Sequence, residues 1–278
     1  MPTVALIAPC PLAGKTTIAA ALSRFAPAAL KRTGEDDHAS VDAETFSTLS
    51  SADGAVTVVE ASGGEAAAEA GATVVVVAPA EMAAADVAAF CNKAGTIAGL
   101  AVNRVPTRRA YRLRESYEKV GLKLLAMIPE DRVLAAPTLA DVSGALEAEA
   151  SNVTNGAGRS VIYNPVVASI ASDPGQGYFT REDPSAVIVR SDKPDLQLSA
   201  INAGAPALII TGGLPILSYV LDRAESDEIP ILRTALDTAK AVETIEGLFG
   251  EGPFAGGEKK LRRVQELVAG SDLAALVG

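Results

Sequence analysis

Thr3-Val-Ala-Leu-Ile-Ala-Pro-Cys-Pro-Leu-Ala-Gly-Lys-Thr-Thr17, continued by Ile18-Ala-Ala-Ala-Leu-Ser-Arg-Phe25, passes from one apolar run through a short loop into another. Thr3–Ala8 reads as a buried strand, and Ile18–Phe25 as a helix with Leu22 and Phe25 on its apolar face. Strand, tight loop, Gly14-Lys15-Thr16 and helix is the layout of a phosphate-binding P-loop. Leu12, Ala13, Gly14, Lys15, Thr16 and Thr17 then line a nest of backbone N–H donors at a helix N-terminus, which carries partial positive charge. In this reading Gly14 admits a phosphate without a Cβ, Lys15 reaches the β/γ-phosphates, and the Thr16 hydroxyl takes a Mg²⁺ ion. Pro9 stands where the general pattern has glycine, and Pro11 lacks an N–H, so the loop has fewer donors than most.

Working outward, Ala28–Arg32 reads as a second strand ending in two cations, Lys31 and Arg32. Thr33–Asp42 reads as an acidic loop containing Asp37 and Asp42. Gly54–Glu60 is a β-branched strand followed by Ala61-Ser-Gly-Gly64. A carboxylate at the C-terminal tip of a strand beside the P-loop strand is where a Mg²⁺ ligand of the Walker-B type belongs, which makes Glu60 the candidate. Gly63 and Gly64 let the chain turn close to a terminal phosphate.

Strands and helices then alternate: Ala72–Ala78, a helix Glu81–Ala94, Ile97–Arg104, a basic helix Thr107–Val120, and Leu122–Ile128. Such alternation predicts an α/β fold with a doubly wound, mostly parallel sheet and ligands at the C-terminal strand ends. Asn103 and Pro129-Glu130 sit at two of those ends, where a base pocket would lie. A helix Thr138–Ala150 leads into a small, polar stretch, 151–158, that reads as a linker. A second, smaller α/β domain follows, with strands near Ser160–Tyr163, Ala186–Arg190, Ala207–Ile210 and Ile229–Leu232. Its helices are Asp192–Ala200, Pro215–Glu225 and Thr238–Leu248, with Asp173–Gly177 as a loop. Glu258–Val268 is a closing amphipathic helix. The expected division is 1–150, 159–250 and a helical tail 251–278.

Composition narrows the function. The 278 residues carry a net charge of −10, which argues against a general nucleic-acid binder because phosphate neutralisation needs a basic surface. No apolar run has the length of a membrane span, and no basic stretch with a signal core opens the chain, so the cytoplasm is the expected compartment. Cys10, Cys91 and the single histidine lack the spacing of a zinc site. The arginines Arg104, Arg108, Arg109, Arg112 and Arg114 read as a solvated helix face, with an acidic-partner site as the alternative.

The whole resembles proteins that join a dethiobiotin-synthetase-like P-loop domain to a DRTGG domain, as in the N-terminal region of long-form phosphotransacetylases and in stand-alone proteins. Ala8-Pro9 through Gly14-Lys-Thr16, Leu30-Lys31, Val59-Glu-Ala-Ser-Gly-Gly64, Val102-Asn-Arg-Val105 and Met127-Ile-Pro-Glu-Asp-Arg132 carry that likeness. The resemblance implies ATP with Mg²⁺ on Thr16, Glu60 and either Asp37 or Asp42. It implies Lys31 near the γ-phosphate or acceptor, and Asn103 with Pro129-Glu130 around the base. Asp192-Lys193-Pro194 stands where Asp-Arg-Thr is usual, and Thr211-Gly212-Gly213 keeps the paired glycines, so Asp192, Lys193, Gly212 and Gly213 mark the expected ligand site of the second domain. No acetyltransferase module lies in the sequence, and acetyl transfer is not implied. Three functions follow in order: a Mg²⁺-dependent ATP-binding protein or ATPase with Lys15, Lys31 and Glu60 as its working groups and a ligand-sensing second domain; a carboxylate-activating synthetase; and a non-catalytic homodimeric interaction module.

Overall fold

A parallel sheet organises the N-terminal half. Its strands are β1 (Thr3–Ile7), β2 (Ala28–Arg32), β3 (Val56–Glu60), β4 (Thr73–Pro79), β5 (Gly99–Val105) and β6 (Leu124–Pro129). They lie in the order β2-β3-β1-β4-β5-β6, every neighbouring pair parallel. These coordinates are a computed structural model that describes residues 2–33, 39–63, 71–153, 156–168, 179, 181–255 and 257–277. The chain divides into one unit of Met1–Leu134 with Pro253–Gly278 and another of Ala135–Gly252.

Both faces of the first sheet are covered, which is why its strands are apolar throughout. Val4, Leu6, Val58, Val75 and Val77 pack on one face with Ile18, Ala19, Ala21 and Leu22 of α1 (Lys15–Leu22). The same cluster holds Phe46 of α2 (Ala39–Leu49) and Val264 and Val268 of α10 (Glu258–Val268). Ala5, Ile7, Val74, Val76, Leu100 and Val102 meet α3 (Ala84–Ala94) and α4 (Ala110–Lys119) through Val87, Cys91, Leu113 and Tyr117 on the other. The C-terminal helix belongs to this unit. Arg24 bonds Glu258 at 2.8 Å, and Arg263 bonds Asp131, just before the short helix α5 (Arg132–Ala135), at 2.7 Å. Lys260, only 3% exposed, lays its ammonium 5.7 Å from the Phe254 ring centroid. Val264 and Val268 are fully buried, worth roughly 1.5–3 kcal/mol each relative to solvent. The helical tail expected over 251–278 contains α10, which packs into the first core.

The second unit holds β7 (Glu149–Ser151), β8 (Pro165–Val167), β9 (Ala186–Arg190), β10 (Leu208–Thr211) and β11 (Ile231–Arg233). Their order is β7-β11-β10-β9-β8, with β7 antiparallel and the rest parallel. On one face, α7 (Pro194–Asn202) and α8 (Ser218–Ser226) bring Leu196, Ala200, Val220 and Ala224 to the sheet. The other face takes Leu139 and Val142 of α6 (Leu139–Ala145) and Ala241 and Ile245 of α9 (Thr238–Glu246). Two α/β sheets were expected, and a mixed α/β fold with one large parallel sheet and a second mixed sheet is what forms.

Three local expectations are corrected. The acidic stretch continues into α2, so Asp42 belongs to a helix; Phe46 and Leu49 anchor it, and the Ser50 hydroxyl accepts from Leu30 N–H at 3.0 Å. The helix expected over 138–150 stops at Ala145, and Glu149–Ser151 pairs with β11 instead. The strand expected at Ser160–Tyr163 is a single bridge, Val161 to Thr138, and the true edge strand is β8. Asp173–Gly177 lies outside the described residues.

Candidate functional site

Because every strand of the first sheet runs the same way, all their C-terminal tips meet one edge, and the loop after β1 opens there. Leu12 at φ 53 and Gly14 at φ 102 both adopt the left-handed backbone that ends the loop. Gly14 caps α1, and the first bond of that helix runs from Ile18 N–H to the Gly14 carbonyl at 3.1 Å. Lys15 and Thr17 head the helix ahead of that bond, where backbone donors point out of the helix end. Lys15 is half-buried and has no ion-pair partner among the described residues. Thr16 and Thr17 are each 9% exposed.

Asn103, expected around the base, lies near the tip of β5 and reaches the loop after β1. Its side chain, 8% exposed, donates from Nδ2 to the Ala13 carbonyl at 3.1 Å. A Cβ on Gly14 would fall 2.1 Å from that Nδ2. The bare Cα of Gly14 therefore accommodates Asn103, which is a packing role that the glycine's position in the motif does not disclose. The consequence for the loop is directional. Carbonyl and N–H of one trans peptide point opposite ways, so drawing the Ala13 carbonyl toward Asn103 turns the Gly14 N–H away from it. Asn103 is a loop-positioning residue in this geometry.

Glu60 ends β3, the direct neighbour of β1, opposite Leu6 in register. It is 1% exposed, and Arg32 at the tip of β2 brings Nη1 to 3.7 Å from its Oε2. Thr33 ties the two tips together: its N–H donates to the Glu60 carbonyl at 2.8 Å, and its Oγ1 accepts from Ser62 N–H at 3.4 Å. Lys31 alternates to the other side and is exposed. Gly63 follows on the loop, while Gly64 and Asp37 lie outside the described residues; Asp42 is on α2, as above.

The donor set suits Mg²⁺. One carboxylate and one hydroxyl, Glu60 and Thr16, are hard oxygen donors of the kind that share this ion with phosphates and water. Among the described residues no group of three or more His, Cys, Asp or Glu gathers into a protein cage. The Arg32 guanidinium already faces Glu60 as a positive charge.

Pro129 and Glu130 lie at the tip of β6 on the same edge, Glu130 N–H donating to Val105 at 3.0 Å. Between them and the loop, Arg104 takes φ 56 at a register shift in β5 and reaches Glu81 at 3.0 Å. Cys10, in the loop, senses both. Burial pushes its thiol above the ordinary cysteine range; Arg104 opposes that rise and Glu81 adds to it. The sequence placed Arg104 in a solvated helix face, with an acidic-partner site as the alternative, and said of Cys10 only that it lacks zinc-site spacing; Arg104 lies on β5 instead.

At the strand tips of the second sheet, Asp192, Lys193, Gly212 and Gly213 come together, and three of them have internal work. Arg190 forks onto Asp192 with contacts of 2.9 and 2.7 Å. Gly212 N–H donates to Leu236 at 2.8 Å and Gly213 N–H to Thr234 at 3.1 Å. Their φ values of 93 and 73 explain why glycines stand there. Lys193 caps α7 through its backbone and leaves its side chain exposed.

Residues 141–248 match the DRTGG domain family, so the second unit contains a DRTGG domain. The chain is similar to the CBS and DRTGG domains of the regulatory region of Clostridium perfringens pyrophosphatase, solved in complex with the activator diadenosine tetraphosphate. That likeness has 21% identity and a TM-score of 0.36, over 55% of this chain and 74% of the other. The YdjI aldolase of Escherichia coli K12 aligns with 100% of this chain and 91% of its own length at 13% identity and a TM-score of 0.18. Among the described residues no helix is long and apolar enough to cross a membrane.

Proposed function

We propose that the first unit is a P-loop domain that binds a nucleoside triphosphate with Mg²⁺, hydrolyses it slowly, and works with a DRTGG domain that regulates or senses. One observation carries this reading: β1 runs through a left-handed Gly14 into Lys15 and α1, with the buried Glu60 on the hydrogen-bonded neighbouring strand. Lys15 and the helix end supply positive potential for phosphate oxygens, without a covalent step by the protein. Asn103 holds the loop so that the Gly14 N–H faces away from its own amide, toward the cradle. Magnesium, when bound, neutralises charge between the phosphates, and Thr16 and Glu60 are the residues that would hold it.

The base goes toward Pro129-Glu130. Three strand spacings separate β1 from β6, about 14 Å at ~4.8 Å each, which matches the span from phosphates to base in an extended nucleotide. The interval between Lys31 and Glu60 is filled by α2 and its connections, so the ATP-binding reading stands ahead of a carboxylate-activating synthetase.

Calorimetry of the full chain with ATP and GTP, each with and without Mg²⁺, tests the reading. Lys15→Ala is expected to weaken triphosphate binding about a hundredfold or more with its circular dichroism unchanged, since it removes a charge-assisted contact. A wild-type chain that gives no heat with either triphosphate, or a Lys15→Ala chain that binds as well as wild type, overturns it.

A further inference from the structure

Glu60 is the carboxylate placed to meet a magnesium–triphosphate, yet a cation of the chain's own already faces it. Arg32 and Glu60 stand opposite each other in register, Nη1 is 3.7 Å from Oε2, and their side chains are 13% and 1% exposed. A carboxylate so far from water needs a nearby positive charge, because leaving it alone costs several kcal/mol. Magnesium would provide the same compensation. Two cations on one buried carboxylate repel each other strongly where water does not screen them.

We propose that Arg32 is the resident counter-cation of Glu60 and that a magnesium–nucleotide exchanges with it, the guanidinium passing from the carboxylate to the terminal phosphate oxygens. This rests on the P-loop reading and adds to it a control on metal. Reach permits the exchange. β2 lies two strand spacings from β1, about 10 Å at ~4.8 Å each, with β3 between them. An arginine side chain starting at the tip of β2 and already lying over β3 has to cover only the second of those spacings. The guanidinium fork pairs with phosphate as readily as with carboxylate, whereas the neighbouring Lys31 is a point charge. No bond is made or broken in the exchange; one ion pair is traded for another. Its consequence is that Arg32 sets how much magnesium the site requires, and that it helps hold a triphosphate when magnesium is scarce.

The test measures binding of β,γ-imido-ATP by calorimetry, in EDTA and at stepped Mg²⁺, for wild type, Glu60→Gln, Arg32→Met and Lys15→Ala. Glu60→Gln keeps the shape of the side chain and removes the carboxylate charge that Arg32 faces. It is expected to bind the metal-free analogue about tenfold more tightly than wild type, with little further gain from Mg²⁺. A carboxylate that only ligates metal predicts no such gain. Arg32→Met is expected to bind the metal-free analogue about tenfold more weakly, and its half-saturating Mg²⁺ concentration is expected to fall. If Arg32→Met does not fold, Glu60→Gln decides alone. Equal metal-free affinity in Glu60→Gln and wild type, with binding still lost in Lys15→Ala, overturns the exchange and leaves the P-loop reading standing. Absence of binding by wild type and variants alike, or full binding by Lys15→Ala, overturns both.

Discussion

The two sheets present the same kind of edge, with opposite use of its polar groups. At the first edge Lys15 stands at a helix end without an ion-pair partner among the described residues, and Arg32 faces the buried Glu60 carboxylate nearby. At the second edge the glycine amides, Arg190, Asp192 and the Ser191 hydroxyl are taken up by the chain itself, Leu214 N–H donating to Ser191 Oγ at 3.3 Å. Backbone donors spent on backbone carbonyls build a turn; donors left facing out of a helix end recruit an anion. A glycine pair therefore marks a ligand loop only when its amides have nowhere else to go.

The glycines give the sharpest way to break this contrast. In Gly14→Ala the new Cβ meets Asn103 Nδ2 at 2.1 Å in a left-handed backbone. The expected loss is about 2–4 kcal/mol of stability, the sum of left-handed strain and a displaced buried hydrogen bond, together with loss of triphosphate binding. Gly213→Ala places its Cβ 3.3 Å from Ala235 Cα at φ 73. It is expected to cost about 1–2 kcal/mol and to leave triphosphate binding unchanged. Urea titrations followed by nucleotide binding separate the two; equal effects on binding would erase the distinction between the edges.

Much of this architecture was legible because long apolar runs in a parallel sheet have few other readings. Ala28–Arg32, Ala186–Arg190 and Glu258–Val268 form as their patterns indicate. What escaped shares a physical cause. β7 is exposed along its whole length, so no alternation of apolar and polar residues announces it. α2 is anchored chiefly by Phe46 and Leu49, too few apolar positions to stand out in an acidic stretch. The partners of Leu261, Val264 and Val268 are not written in their own spacing, since Ala20 beside Leu261, and Ile18 and Leu22 in the core of the two valines, lie far away in sequence. At the candidate site the positions of Gly14, Lys15 and Glu60 at helix and strand ends were legible, and the bond from Asn103 to Ala13 and the facing of Arg32 and Glu60 were not. Each depends on strand order, which brings β5 within reach of the loop and β2 beside β3.

A milder probe of the same loop is Asn103. Asn103→Ala removes the bond to the Ala13 carbonyl and lets that peptide turn. The expected effect is about 1 kcal/mol of stability and a roughly threefold to tenfold weaker triphosphate affinity. Asn103→Asp, which sets a carboxylate against a carbonyl, is expected to do worse than alanine on both measures. Unchanged affinity in both variants would reduce Asn103 to a packing residue and make the loop as self-contained as the Gly212–Gly213 turn.

The smallest expected effect is read at Cys10, which reports on charge at the first edge from within the loop. Burial raises its thiol above the ordinary cysteine range, Arg104 pulls it down, and Glu81 pushes it up. The pH profile of Cys10 alkylation, followed by peptide mass spectrometry, is therefore expected to lie above that of a free thiol, near 8.5. Arg104→Gln should shift it further up and Glu81→Gln down. The sign carries over to stability. At neutral pH both states hold the thiol, and as pH rises the unfolded chain ionises first, so the contribution to stability falls through the alkaline range. Cys91 is 3% exposed and serves as the protected control. A bound triphosphate brings negative charge to the loop, so saturating Mg²⁺ and β,γ-imido-ATP should displace the Cys10 profile upward and slow the reaction. If the nucleotide binds by calorimetry yet leaves Cys10 titrating as before, the triphosphate sits away from this loop, and the contrast between the two edges has to be drawn elsewhere.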